Sequence, residues 1–469
     1  MKKSARRALA ATTVTAALAA TMAASPSAVA GQAAPSHKPA SFANYGMKGV
    51  AEGVKLYVNN VQTKSLKDAV APLRCTRKVG RAADATSILT TPENDLIELS
   101  GSTSRTTTYR DGSRYGVRAI NTLGDITLGG TLPGQSESTP IVTLKGLQTV
   151  ADSFHTPEGY GHEESFHAPE LTIDVSVLED NGVPIPPELT DLLDTLTQTG
   201  QELTGQVIEV LQQAGGVIDI PELGSIGLGR LKGVAKKNHA ESDAAALEFV
   251  ITATGETQKL LVGHSRSRIG GPAPSGVFRS TSMPLEVDAL DGAARFGGVR
   301  PRPIPCEGTR GRSVTKELGS ASVLLPQSLL AGVQGIEYTY MGDQHRDGTA
   351  EGFNSQKVGS FTIDSLGLEI TGIQSKVVTK KVRSTKTASG YKVISQPKFS
   401  VAKIVYNGTE YAVPKPGKLL TIDGLGVVET RVVEATKWGK RVTALRLTLT
   451  EYGNTKVDLG ISASQIFGY

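Results

Sequence analysis

Three histidines fall in one short stretch, SFHTPEGYGHEESFHAPE: His155, His162 and His167, with Glu158, Glu163 and Glu164 among them. Imidazole plus carboxylate is a usable ligand set for a transition metal, and a metal-bound water would make a hydrolase. The spacing matches no metalloenzyme signature. The reading needs His155 and His167 to face each other on two arms of a hairpin turning near 157–161. The plainer alternative is a solvated polar hairpin. A second stretch, SKVVTKKVRSTKTASGYKVISQPK, carries Lys376, Lys380, Lys381, Arg383, Lys386, Lys392 and Lys398. Such a hairpin suits the phosphates of an acidic polymer. Only Tyr391 lies inside it, so base stacking and specific nucleic-acid recognition are not supported. Its plainer role is a charged edge that deters strand pairing. Asp343, His345, Asp347 and Gly348 copy the start of a calcium loop, but Asn354 stands where the twelfth-position glutamate should be. No nucleophile meets a base. Gly263-His264-Ser265 becomes Gly460-Ile461-Ser462 in a second copy of the same stretch, so that serine reads as structural. There is no P-loop and no dinucleotide fingerprint after a strand. No cofactor is implied, and the chain reads as non-catalytic.

The elements that must position these residues occur twice. Residues 246–269 (ALEFVITATGETQKLLVGHSRSRI) and 444–466 (ALRLTLTEYGNTKVDLGISASQI) share Ala246/Ala444, Leu247/Leu445, Gly255/Gly453, Gly263/Gly460, Ser265/Ser462, Ser267/Ser464 and Ile269/Ile466. Upstream, Gly146-Leu147-Gln148-Thr149 matches Gly372-Ile373-Gln374-Ser375, and Asn181-Gly182 matches Asn407-Gly408. Period-two alternation and Gly, Asn and Pro turns dominate both halves. The expected fold is all-β: two tandem homologous antiparallel β-sandwich-like domains, 42–270 and 271–469. One segment breaks the repeat. In 187–215 the residues Leu189, Leu192, Leu193, Leu196, Leu203, Val207 and Leu211 follow helical spacing, which predicts a helical insertion in the first domain. Its apolar face would cover the first domain's sheet or dock a partner.

Residues 1–30 read as a secretory signal: Lys2, Lys3, Arg6 and Arg7, an apolar run, then Ala28-Val29-Ala30. Residues 31–41 read as a disordered leader. Nothing later is apolar enough to span a bilayer, so the mature chain is expected outside the cell, with no membrane span. Loss of the signal removes four cations and no acid, taking the net charge from +5 to +1. The halves differ: 21 Lys/Arg against 28 Asp/Glu in 31–270, and 25 against 17 in 271–469. That asymmetry would serve docking of the halves or contact with a polyanion; otherwise it is drift of two solvated surfaces. Two cysteines in an exported chain suggest one disulfide, Cys75 to Cys306, joining the halves at what looks like the same repeat position. The alternative is two free, buried thiols.

The succession of Gly-[Ile/Leu]-Gln, a strand ending in Asn-Gly, the turns at Leu223-Gly224 and Leu425-Gly426, and the Ala-Leu and Gly-x-Ser-x-Ser tail resembles the choice-of-anchor P family of exported bacterial proteins. The likeness covers both halves. It implies an extracellular β-rich module tied to the envelope, with no established activity and no functional residues to transfer. The IFGY end lacks an LPxTG-type motif and a hydrophobic tail, which departs from the pattern. Together these readings point to a secreted, envelope-associated structural or interaction protein, whose partner is an envelope polymer or another protein. The acidic-polymer module and the metal-dependent hydrolase stand as alternatives.

Overall fold

In a computed structural model, the described residues are 41–58, 61–64, 69–89, 97–130, 139–167, 170–173, 217–220, 224–251, 258–289, 294–299, 303–325 and 329–467. Among them every regular element is a strand except one 3-10 turn, Asp364–Leu366. The expected helical insertion at 187–215 lies outside the described residues. Among the described residues there is no α-helix, and the helix is not borne out.

Three antiparallel sheets form one compact unit over Ser41–Tyr469. The first runs β12 (Val217–Ile220), β13 (Gly224–Lys236), β14 (His239–Ile251), β15 (Gln258–Gly270), β1 (Phe42–Val58), β2 (Val61–Lys64), β17 (Ala294–Val299), β16 (Val277–Ala289), β28 (Thr455–Phe467), β27 (Gly439–Leu449), β26 (Gly426–Thr436) and β25 (Leu419–Ile422). β3 (Ala71–Lys78) joins it beside β1. The second runs β10 (Gly159–His167), β9 (Gln148–Thr156), β6 (Arg114–Leu123), β5 (Ile97–Asp111), β7 (Asp125–Gly130), β8 (Thr139–Lys145) and β11 (Glu170–Ile173), with β4 (Ala82–Leu89) on β5. The third runs β18 (Val314–Leu325), β19 (Leu329–Gln344), β20 (Ala350–Ile363), β21 (Leu368–Arg383), β23 (Lys403–Tyr406) and β24 (Thr409–Tyr411), with β22 (Tyr391–Ser400) on β21. The short β2–β17 ladder carries the first sheet from one half of the chain into the other.

The duplication is visible in the register. β15 lies between β1 and β14, and β28 lies between β16 and β27. Pairing skips Gly263 in one copy and Gly460 in the other, each with φ near 60°. A left-handed residue inside a strand resets the in–out alternation, and glycine does so without the Cβ penalty. On one side of Gly460, Ser462 and Ser464 reach the third sheet; on the other, Leu459 and Val457 join the apolar core.

The paired serines now have a role. Ser265 Oγ lies 3.0 Å from Thr149 Oγ1, and Ser462 Oγ lies 2.7 Å from Ser375 Oγ. Ser267 Oγ lies 2.8 Å from Ser153 Oγ, while Thr379 donates to the Ser464 carbonyl at 2.7 Å. All are buried. In both copies they hydrogen-bond the first sheet to its facing sheet. Ser462→Ala would leave the Ser375 hydroxyl buried without that partner. It should lower the unfolding free energy by about 1–3 kcal/mol, read from denaturant titration, and Ser265→Ala should match it.

The predicted disulfide is present, with Cα atoms 5.4 Å apart across a separation of 231 residues. Cys306 sits over Gly46, where any Cβ would meet the Cys306 Cβ at 2.4 Å. The next residue, Glu307, lies over Gly270 and pairs with Arg268. Arg279 Nε donates to the Cys75 carbonyl at 2.7 Å. The bond therefore joins β3 of the first half to a loop of the second.

Candidate functional site

The basic hairpin is β21–β22, in a register that sets Arg383 opposite Tyr391 and Lys376 opposite Lys398. Ser375, Val377, Thr379 and Lys381 are buried on the inner side. The alternate positions point outward, so Lys376, Lys380, Lys392 and Lys398 share one face with Val378, Val382 and Ile394. Lys380 and Lys381, neighbours in the predicted set, thus go to opposite faces. Lys381 is 7% exposed, donates to the Ser275 carbonyl at 2.7 Å and packs on the Tyr391 ring. Burial, aided by the charge of Arg77, lowers its pKa. It does not belong to the surface patch.

Two more members are engaged. Lys380 pairs with Glu351 at 2.7 Å, and Arg383 lies 3.6 Å from Asp347. Lys376 rests over the Phe353 ring at 4.2 Å. Lys376, Lys386, Lys392 and Lys398 have no ion-pair partner among the described residues. Ile394, opposite Lys380, is 41% exposed between them. The calcium-like loop is the β19–β20 turn. There Asp347 accepts from the Thr349 amide and hydroxyl, at 3.0 and 2.7 Å, and these bonds depress its carboxyl pKa.

The first half provides an internal control. Matching Thr149 to Ser375 and Ser153 to Thr379 places Asp152 at the position of Val378, and its cross-strand partner Arg118 at that of Phe353. Asp152 is 1% exposed. It accepts from the Tyr109 hydroxyl at 2.9 Å, from Arg114 at 3.1 Å and from Arg118 at 2.7 Å. Arg114 also reaches Glu163 at 2.9 Å. Burial and the Asp152 charge raise the Tyr109 pKa. This cluster satisfies its own charges, whereas the matching face of the second half has lysines with no ion-pair partner among the described residues.

The structure does not gather the three histidines. His155 stands opposite Tyr160, not opposite His167, which pairs with Gln148 at the far end of the hairpin. His155 stacks on Tyr45 with centroids 4.5 Å apart, and burial lowers its pKa. His162 lies 3.0 Å from Glu164, and both side chains fill the space above Gly233 of β13. Among the described residues no group of three His, Cys, Asp or Glu side chains could hold a metal ion.

No protein family and no curated protein matches the chain. A double mutant of the vaccine antigen transferrin binding protein B from Haemophilus parasuis is a weak structural match. It is 10% identical, with 90% of this chain and 76% of that one covered, at a TM-score of 0.10. Such a score shows no common fold, and function rests on the geometry. Among the described residues no helix is long and apolar enough to cross a membrane.

One polar centre escaped the sequence reading. His264 Nδ1 lies 2.8 Å from Glu52 Oε1, and its Nε2 lies 3.5 Å from Asp243 Oδ1. Lys55 closes on Glu52 at 2.9 Å and Arg230 on Asp243 at 3.1 Å. Burial alone would push the Glu52 carboxyl up. The His264 hydrogen bond and the Lys55 charge outweigh it and hold the pKa at about 2. The Asp243 carboxyl is likewise depressed against burial, by His264 and Arg230. The sister positions of Glu52 and His264 are Met283 and Ile461. Aligning β1 with β16 would have exposed this contrast, but those strands share too few residue types to align by eye.

Proposed function

We propose that this chain is a secreted, envelope-associated interaction protein that acts by binding, not catalysis, and that the outer face of β21–β22 holds an acidic envelope polymer. The observation that carries the reading is Lys376 directly opposite Lys398, with no carboxylate among the described residues paired to either. Like charges in a cross-strand pair are destabilising, so such a pair is best accounted for by an anion that occupies the face. The sister face supports it: the same scaffold closes there on Asp152 and needs no external charge. Ordered strands fix the backbone that carries the lysines, so binding does not have to order a loop. For the metal-hydrolase alternative, no ligand set is gathered among the described residues.

Co-sedimentation with envelope fractions and titration with a long-chain polyphosphate test the reading. Binding should weaken as salt rises. Lys376→Glu/Lys398→Glu should lower affinity at least tenfold and flatten the salt slope by about one per lysine removed. Lys232→Glu/Lys236→Glu, on exposed β13 positions, should change little. Equal losses in both variants would refute a localised site.

A further inference from the structure

The outward rows of β21–β22 interleave charge with apolar surface. Across the hairpin they are Lys376–Lys398, Val378–Gln396, Lys380–Ile394 and Val382–Lys392. Successive rows lie two residues apart, about 7 Å along the strands. The second row continues over β20 and β19 as Phe353 and Met341. Met341, Phe353 and Val378 are half-buried, and Ile394 is 41% exposed. An apolar band therefore crosses the sheet beside the Lys376–Lys398 pair, and in each of the two remaining rows a lysine faces an apolar side chain. The scaffold does not require this band. In the first half the same rows are Val150–Ser165, Asp152–Glu163, Phe154–Gly161 and Thr156–Gly159, with Arg118 beside Asp152. Charge stands there where the second half has Val378 and Phe353. The band belongs to this half's sequence and not to the fold.

Resting on the polymer-binding function proposed for this face, we infer that its ligand is a phosphodiester-linked chain whose single charges are separated by polyol or sugar units, and that the chain lies along the hairpin. The cations are spaced for such a ligand. Lys392 stands three rows from the Lys376–Lys398 pair, about 20 Å along the strands. Lys380, between them, shares its charge with Glu351 at 2.7 Å. A chain with a phosphate at every link would press anions onto Val378, Phe353 and Ile394, where their desolvation has no compensation. A chain with a carbon unit between phosphates lays C–H surface there and gains by covering it. The type of cation points the same way. Arg383, the one arginine of the hairpin, lies 3.6 Å from Asp347. The outward cations are lysines, which act as point donors to a single anionic oxygen, whereas the planar carboxylates of a uronic acid chain are matched best by the arginine fork.

The test is titration of the full chain, at one salt concentration, with poly(glycerol phosphate), polyphosphate and polygalacturonate matched in number of charges. Poly(glycerol phosphate) should bind about tenfold more tightly than either of the others, because it alone covers the apolar band without desolvating charge. Val378→Ser/Ile394→Ser should weaken that polymer about fivefold, leave its salt slope unchanged and leave polyphosphate binding unchanged. Equal affinity of the wild type for all three chains, or a variant that binds poly(glycerol phosphate) as the wild type does, overturns the spaced-charge ligand while the acidic-polymer face stands. Tighter binding to phosphatidylglycerol vesicles than to any of the chains overturns it in favour of a lipid surface. Binding to none of the chains at low salt removes the polymer-binding function itself, and this inference with it. The comparison of the three chains uses the wild type alone, so it decides even if the variant fails to fold.

Discussion

Replacing Cys75 and Cys306 together by alanine is expected to give the largest loss of stability of any two-residue change. The bond closes a loop with a sequence separation of 231. In the chain-entropy account a loop of that length is worth about 5 kcal/mol, because the cross-link removes open conformations from the unfolded ensemble. Both sulfurs are also buried, beside Val277 and Phe467, so alanine leaves unfilled space. Several local contacts remain without the bond, among them Arg279 on the Cys75 carbonyl. Glu307 still pairs with Arg268, and β2 still pairs with β17. The β2–β17 ladder is short and interrupted between Arg295 and Gly298, and it cannot replace a covalent link. Guanidinium titration of the variant, and of wild type under strong reductant, should show midpoints lowered to a similar extent. A loss below about 1 kcal/mol would mean that packing between the halves, not the bond, sets the stability.

How far this architecture was legible in the sequence follows from what each residue must satisfy. The repeated Gly-x-Ser-x-Ser tail was readable because both copies meet the same two demands: a left-handed residue at Gly263 and Gly460, and hydroxyls aimed at a facing sheet. Asn407-Gly408 was readable as a tight turn, and both residues adopt positive φ, at 49° and 76°. The histidine reading failed on register. A turn placed at Pro157–Glu158 sets His155 against Tyr160, and a pairing of His155 with His167 would need the turn several residues later. The basic hairpin was readable as a patch but not as a surface. Lys380 and Lys381 look alike in a composition count, yet strand alternation sends one to Glu351 and the other to a buried carbonyl. Leu285 and Leu329 lie in strands whose apolar side chains fill the core beneath the third sheet. Glu52 was not legible, since a lone glutamate in a strand gives no sign that a histidine 212 positions away will meet it.

Asp152→Val should cost about 3 kcal/mol, and the size of that loss follows from who is left behind. The Asp152 carboxylate is 1% exposed and takes bonds from Tyr109, Arg114 and Arg118. Removing one side of a buried ion cluster typically costs about 3–5 kcal/mol, because the remaining charges stay desolvated. Here the arginines keep water contact, with side-chain exposures of 27% and 44%, so the lower end applies. Tyr109 adds to the loss, since its half-buried hydroxyl would have only Arg114 beside it. The second half shows how the scaffold tolerates an apolar residue at this position: Val378 stands opposite Phe353, not opposite an arginine. Adding Arg118→Phe to Asp152→Val should therefore recover at least about 1 kcal/mol, although each change alone destabilises. A double-mutant cycle by denaturant unfolding measures that coupling. Additive losses would mean that the two faces have diverged too far for one to repair the other. A recovered fold would show that charge matching, and not backbone shape, separates the closed face of the first half from the open lysine face of the second.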